Sequence, residues 1–542
     1  MSKAKNADQM TLSLFEAPGA AWKAILPAGV RPSPYQEAIF EQVLHGQGDL
    51  IVRAVAGAGK TWTITQAARL LYLTPRANFR LALASFNVHI RKTLADRLSS
   101  TDAIVNTIHG IGYSCLKKTY GARIGRAQLD KYSWLTRDAW KNSGQPLTPS
   151  STETIYALEQ AVNLARLSLL NMSDLNAIDQ LNRHYGLDLP DAAYPLIAPI
   201  VERGMQLLVD KGLHDFTDML YAPNRLDLQP HPSDYLFIDE CQDLSPAQLA
   251  LILRCRKENG RLIFVGDPDQ SIQGFAGSDV NAYWNIKEQT EATELPLSIC
   301  YRCPSSHLEL ARKLVHDIQP RPDAPLGRLE LLPEIELPTL VQPGDLIIGR
   351  LTAPLVKWCI RLIGLKMNAR IRGLELGQEL VQLLQRISRR DDFDFYQLEE
   401  SIDRYQFDQT TYYSSRKRGK ELLELNNDKC QALLTCQEAY QSDSLESLSQ
   451  AISSLFSDEQ PAVWLSTIHR AKGLENPTVF ILEPHKIPLR WDDQQDWEWK
   501  QELNLRYVAV TRSQDRLVLL QPAGLTVDWR DNYIDSQLTG AH

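Results

Sequence analysis

The stretch that most narrows the possible folds is AVAGAGKTWTI, Ala54–Ile64. An unbroken apolar run, DLIVRAV (49–55), precedes it, and a helix-like segment, TWTITQAARLL, follows it. Strand, glycine-containing turn and helix in that order make a phosphate-binding loop. Glycine lets backbone N–H groups turn toward phosphate oxygens at the start of a helix. The loop comprises Ala56, Gly57, Ala58, Gly59, Lys60 and Thr61, with Ala54 where the usual pattern has its first glycine. In such a loop Lys60 reaches the terminal phosphates and the Thr61 hydroxyl ligates Mg²⁺. The bland alternative is a chance glycine-rich turn.

Further runs of strand length recur between amphipathic segments: RLALASF (80–86), YLFIDE (235–240) and RLIFVGD (261–267). A second set follows: DLIIGR (345–350), AVWLSTI (462–468), PTVFIL (477–482) and RLVLL (516–520). Strands without alternation, separated by helices, predict parallel sheets covered on both faces. A chain of 542 residues exceeds one hydrophobic core, and two strand sets predict two α/β sheet domains. The expected layout is a flexible tail (1–25), a first domain (26–120 and 215–290) and a second (291–385 and 446–542). Residues 121–214 are polar and helical, and 386–445 are charged and aromatic. Both are expected to be mostly helical insertions, one in each domain.

YLFIDECQDLSPAQ (235–248) supplies the partner to the loop. An apolar strand ending in Asp239 and Glu240 suits a metal-holding carboxylate followed by a general base for the attacking water. The alternative is an acidic pair capping a helix. The two motifs together predict a nucleotide hydrolase using ATP and Mg²⁺.

The order of the remaining motifs predicts what the hydrolysis drives. VGDPDQSIQGF (265–275), LSICYRCPSSHLELA (297–311), LSTIHRAKGLENPTVF (465–480) and LNLRYVAVTR (503–512) come in turn. Upstream lie SPYQEAIF (33–40), LASFNVHIRKTLADRL (83–98) and VNTIHGIGYSCL (105–116). This series resembles the UvrD/Rep-like helicases of superfamily 1. The resemblance covers roughly 33–116, 235–311 and 462–520. It implies two RecA-like phosphate-loop domains with ATP between them. By the same resemblance Gln36 reads adenine, Tyr301 stacks on it and Glu475 lies near the ribose. Gln270 senses the γ-phosphate, and Arg302 and Arg512 meet it. Arginine suits that place because its charge and fork stabilise a transferring phosphoryl group. Trp62 stands where many members have arginine; it either stacks on adenine or packs into the core. Gln273, Ala276 and Asn476 also depart from the family pattern.

Single strands are held by aromatic platforms and phosphate contacts. The resemblance assigns Phe86, Asn87, Thr107, His109, Phe275 and His469 to a nucleic-acid track. The net charge of −8 is a weak argument against a nucleic-acid binder, so that reading depends on local basic patches. Arg91, Lys92 and Arg97, Lys117 and Lys118, and Arg416, Lys417, Arg418 and Lys420 form such clusters. The expectation is a 3′ to 5′ motor on single-stranded DNA and on single-strand/duplex junctions, acting as a monomer. The rivals are an RNA-directed motor of the same superfamily and a non-motor nucleotide switch.

Eight scattered cysteines predict free thiols in a reducing, cytoplasmic setting. Cys300 and Cys303 have zinc-like spacing, but packing beside their motif is the expected role. No window of about 20 apolar residues exists to span a membrane. QMTLSLF (9–15) in the N-terminal tail resembles peptides that bacterial proteins insert into the sliding clamp of the replicase. The alternative for Leu12, Leu14 and Phe15 is docking on the first domain of the same chain.

Overall fold

The structure, a computed structural model, describes Leu26 and residues 31–74, 79–85, 88–144, 149–413, 419–456, 463–491 and 494–522. The expected tail and the clamp-like segment 9–15 lie outside these residues, as do Phe86, Asn87 and Arg416–Arg418. Two compact units result. The first comprises Met1–Pro146, Thr154–Leu181 and Leu189–Ile299; the second comprises Cys300–His542 with Leu147–Glu153 and Asn182–Asp188.

The first unit is built on six strands: β1 (Leu50–Ala54), β2 (Leu81–Ser85), β3 (Ile104–Thr107), β4 (Ser233–Asp239), β5 (Arg256–Gly266) and β6 (Thr293–Leu297). They lie in the order β3-β2-β4-β5-β1-β6, and every neighbouring pair is parallel. The register places Val52 beside Val265 and Val265 beside Asp239. The carboxyl ends of β1, β5 and β4 therefore finish at one level. Loops leaving there converge, which is where ligands meet open α/β sheets. Ile51, Leu236, Ile238 and Phe264 are buried in the apolar cluster of this unit.

Between the helices Ile108–Tyr120 and Phe216–Arg225 the chain forms the helices Lys131–Asn142, Pro149–Leu167, Leu175–Tyr185 and Tyr194–Lys211. The helices Ile108–Tyr120 and Phe216–Arg225 pack closely. A Cβ on Gly112 would sit 1.7 Å from the Met219 carbonyl oxygen, so only glycine allows the approach.

The second unit repeats the plan. Its strands are β7 (Arg328–Pro333), β8 (Leu346–Gly349), β9 (Ala369–Ile371), β10 (Val463–Thr467), β11 (Asn476–Leu482) and β12 (Ser513–Gln521). Their order is β9-β10-β8-β11-β12-β7, again all parallel. The helices Leu374–Ser388, Leu398–Tyr413, Gly419–Tyr440 and Leu445–Leu455 fill the interval between β9 and β10. Leu380, Leu384, Ile402, Leu433 and Ile452 join these helices to the core of the unit.

All the expected strands form. Within the two six-stranded sheets, the strands that sequence patterning did not single out, β3, β6, β7 and β9, are the four edges. β3, β6 and β7 each have a neighbour on one side only and bury less of themselves, whereas β9, with Ala369 and Ile371 fully buried, is only three residues long. Ile104 at the start of β3 is 51% exposed, and β6 buries only Leu297. Without a continuous apolar run the period signal weakens. Among the described residues no helix is long and apolar enough to cross a membrane. The eight cysteines are free and buried.

Candidate nucleotide site and strand track

The phosphate loop leaves β1 and ends at the helix Lys60–Leu73. Gly57 (φ 68°) and Gly59 (φ 79°) are left-handed, a conformation that glycine adopts without steric cost. Gly59 is the N-cap, so Lys60 and Thr61 open the helix where unpaired N–H groups and the dipole favour an anion. Ala56 and Ala58 are fully buried beneath the turn.

Thr61 Oγ1 donates to Asp239 Oδ2 at 3.2 Å, and the backbone N–H of Glu240 donates to Asp239 Oδ1 at 3.0 Å. Glu240 Oε1 lies 3.6 Å from Lys60 Nζ. Its other oxygen accepts from Gln242 Nε2 at 2.6 Å. Glu240 is left-handed (φ 56°) although not glycine, a strained conformation that aims its carboxylate back at the loop. Burial, together with the neighbouring Glu240 charge, pushes the Asp239 carboxyl up to about 7, while Lys60 and Thr61 pull it down. A crowded anionic pair beside a hydroxyl is a hard oxygen donor set that suits Mg²⁺. Thr61 and Asp239 are the residues that would hold it.

The VGDPDQ turn completes the cluster. The backbone N–H of Asp267 donates to Gln242 Oε1 at 3.0 Å, and Gln270 Nε2 donates to Asp267 Oδ2 at 2.6 Å. Burial raises the Asp267 carboxyl to about 6. Gln242 therefore bridges the candidate base and the turn that carries Gln270. Sequence reading did not single out Gln242. Its place in DECQD was visible, but its two partners come from folding.

Gln36 lies beside the loop and is engaged within the chain. Its Oε1 accepts from the Ser33 N–H at 2.9 Å, and its Nε2 donates to Thr63 Oγ1 at 3.2 Å. Trp62 is half-buried, with its ring centroid 6.2 Å from that of Phe40 on the helix Pro34–His45. That contact is the packing expected of the core alternative, and the ring keeps some exposure.

In the second unit Arg302 and Glu475 are brought together: Arg302 Nε donates to Glu475 Oε2 at 2.6 Å and Nη1 to the Thr511 carbonyl at 3.2 Å. Arg512 is 1% exposed. It donates to the carbonyls of Val508 and Leu474 and to Thr511 Oγ1 at 2.9–3.1 Å. Tyr301 is 38% exposed. Cys303 Sγ lies 3.5 Å from the Thr511 carbonyl and its N–H donates to Cys300 Sγ at 3.4 Å, a packing contact beside Arg302.

Of the residues expected on the strand track, Thr107 caps the helix Ile108–Tyr120 by accepting from the Gly110 N–H at 3.0 Å. Its next-but-one neighbour His109 meets Phe216 edge-on, with centroids 6.2 Å apart. Phe216 is 53% exposed and Phe275 is 54% exposed. Phe216 is a further aromatic candidate that sequence reading missed, because only folding sets it beside His109. Burial lowers the basicity of His109. Burial and the flanking Arg350 and Arg470 push His469, on the short helix Ile468–Ala471, down to about 3. A neutral imidazole there offers a stacking face and one donor instead of a cation.

Comparisons with known proteins identify the family. Residues 35–291 match the UvrD/REP helicase N-terminal domain, and 380–521 match the UvrD-like helicase C-terminal domain. The chain is 28% identical over 301 residues to the ATP-dependent DNA helicase srs2 of Schizosaccharomyces pombe, covering 50% of this chain and 33% of that protein. It is 24% identical over 304 residues to the ATP-dependent DNA helicase PcrA of Leuconostoc citreum, covering 51% of this chain and 38% of that one. Over 301 residues it is 23% identical to the ATP-dependent DNA helicase PcrA of Staphylococcus epidermidis, covering 52% of this chain and 40% of that one. Its similarity thus spans less than half the length of each of these relatives. With both domains matched across two parallel-sheet units, the chain belongs to the UvrD/Rep-like helicase family and carries its two RecA-like domains.

Proposed function

We propose that this protein is an ATP-driven DNA helicase or translocase that moves 3′ to 5′ on single-stranded DNA. The observation that carries the reading is the convergence of Lys60, Thr61, Asp239, Glu240, Gln242 and Gln270 at the carboxyl ends of β1, β4 and β5. That cluster suits in-line attack of water on a γ-phosphate. Lys60 and the loop N–H groups hold the phosphates. Glu240, aimed by Lys60 and Gln242, takes the proton of the attacking water. Mg²⁺ on Thr61 and Asp239 would neutralise phosphate charge. Arg302 and Arg512, by family likeness, stabilise charge on the transferring group, and Arg302 exchanges Glu475 for phosphate as it does so. Tyr301, with Trp62 or without it, stacks on adenine, and Gln36 reads its edge.

Relatives named as DNA helicases support DNA as the track. Exposed Phe275 and Phe216 offer faces for bases, and family likeness assigns Thr107, His109 and His469 to strand contact as well. Phe86 and Asn87 belong to the same proposal; residues 9–15 either dock on the first domain of the same chain or insert into a sliding clamp. The test is strand displacement on 3′-tailed and 5′-tailed duplexes with ATP. Displacement from the 3′ tail is expected; displacement from the 5′ tail alone reverses the polarity. ATP turnover with no movement on either substrate would make the protein a nucleotide switch. Stronger stimulation of turnover by RNA than by single-stranded DNA would move the track to RNA.

A further inference from the structure

Four charged side chains are buried together where the inserted helices meet the helix Phe216–Arg225. Arg166 donates through Nη1 and Nη2 to the two oxygens of Asp215 at 2.9 Å, and through Nη1 to Asp218 Oδ1 at 3.0 Å. Lys131 Nζ reaches Asp218 Oδ2 at 2.6 Å and the Leu213 carbonyl at 3.0 Å. The Tyr132 hydroxyl donates to Asp218 Oδ1 at 3.0 Å, and its ring centroid lies 3.5 Å from the guanidinium carbon of Arg166. Arg166 and Lys131 are each 1% exposed and Asp218 is fully buried.

Such a cluster is weak ground for stability, because apolar residues of like volume often serve as well. What it holds is more informative. Asp215 and Asp218 form the capping box of the helix Phe216–Arg225. Thr217 Oγ1 donates to Asn163 Oδ1 at 2.6 Å, one turn before Arg166. Residues 215, 217 and 218 are thus tied to the helix Pro149–Leu167, and the Phe216 ring between them is left facing outward beside His109. The same helix end also backs the other aromatic. A Cβ on Gly277, two residues after Phe275, would meet Leu167 at 2.7 Å and Leu164 at 3.2 Å.

We propose that the last turn of the helix Pro149–Leu167, centred on Arg166, is a positioning element that orders Phe216 for base stacking, so that the first insertion sets the grip on the strand. The inference rests on the reading of Phe216 as a strand contact. Arg166 itself touches no base; it acts through the first turn of the next helix.

The test combines order and affinity. The natural cysteines are buried, so a Phe216→Cys chain takes a nitroxide label selectively. Arg166→Lys keeps the charge and loses the fork, and Arg166→Gln removes both. The lysine variant carries the test if the glutamine variant fails to fold. In the labelled chain, Arg166→Lys should sharpen the spin-label spectrum. In the unlabelled chain it should raise the half-saturating oligothymidylate concentration about fivefold, near the lower end for one stacked base. Turnover at saturating strand and turnover without strand should stay as in the wild type. Added to Phe216→Ala, Arg166→Lys should change affinity less than about twofold, since the ring it orders is gone. An unchanged spectrum, or losses that multiply, overturns the positioning. A sharpened spectrum with Phe216→Ala binding as tightly as wild type removes Phe216 from the track, and the control of grip with it.

Discussion

Adding one methyl group at Gly266 should disable the candidate base without touching it. A Cβ there would lie 2.5 Å from Gln242 Oε1 and 2.7 Å from Cys241 Sγ, closer than real contacts allow. Gln242 is 1% exposed and has no open side to retreat into, so Gly266→Ala must displace its amide. Three bonds go with it: the 3.0 Å bond from the Asp267 N–H, the 2.6 Å bond to Glu240 Oε2 and the 3.2 Å bond to Asp243 Oδ2. A hydrogen bond to a charged group is worth about 1.5–3 kcal/mol, and an orphaned buried N–H costs about 1–3 kcal/mol. If the first quantity is what aims Glu240, kcat should fall roughly 10- to 150-fold. The second should appear as a loss of stability of similar size. Steady-state ATP turnover with saturating single-stranded DNA measures the first, and urea unfolding followed by tryptophan emission measures the second. Gln242→Leu should reproduce the fall in kcat, and the double variant should be little worse than either single one. Turnover within twofold of wild type in Gly266→Ala would refute the claim that Gln242 aims the base.

Other variants probe the remaining groups. Glu240→Gln should bind ATP but turn over at least about 100-fold more slowly, the usual scale of general-base loss; a mant-nucleotide titration alongside turnover separates the two. Arg302→Ala should lower DNA-saturated kcat by about 10³-fold or more, as for arginine fingers, with single-strand affinity little changed in a filter-binding assay. Arg512→Ala should lower turnover and thermal stability together, since its guanidinium is buried and bonded to the carbonyls of Val508 and Leu474. Phe275→Ala should weaken single-strand binding by about 1–3 kcal/mol, read by fluorescence anisotropy of a labelled oligonucleotide.

The chain's local chemistry was legible before folding. A phosphate loop is one strand, one turn and one helix, so GAGKT carries its own context. The acidic pair of FIDE announces itself because a strand buried on both faces ends abruptly in two carboxylates. The central strands were legible for the same reason: burial on both faces demands an unbroken apolar run, as in LIFVG. The edge strands β3, β6 and β7 lack that demand, and β9 is buried but only three residues long, so all four passed unread. Tertiary structure alone decided which groups act together. Gln242 meets Asp267 across 25 residues, and Arg166 meets Asp215 across 49. Gly266 is ordinary in sequence, and only the approach of Cys241 and Gln242 makes it irreplaceable. Phe216 and His109 stand in separate segments with no shared pattern, and two packed helices make them neighbours. Periodicity reports how a residue faces its own element; which side chain comes to meet it depends on register, crossing and loop geometry set by the whole core.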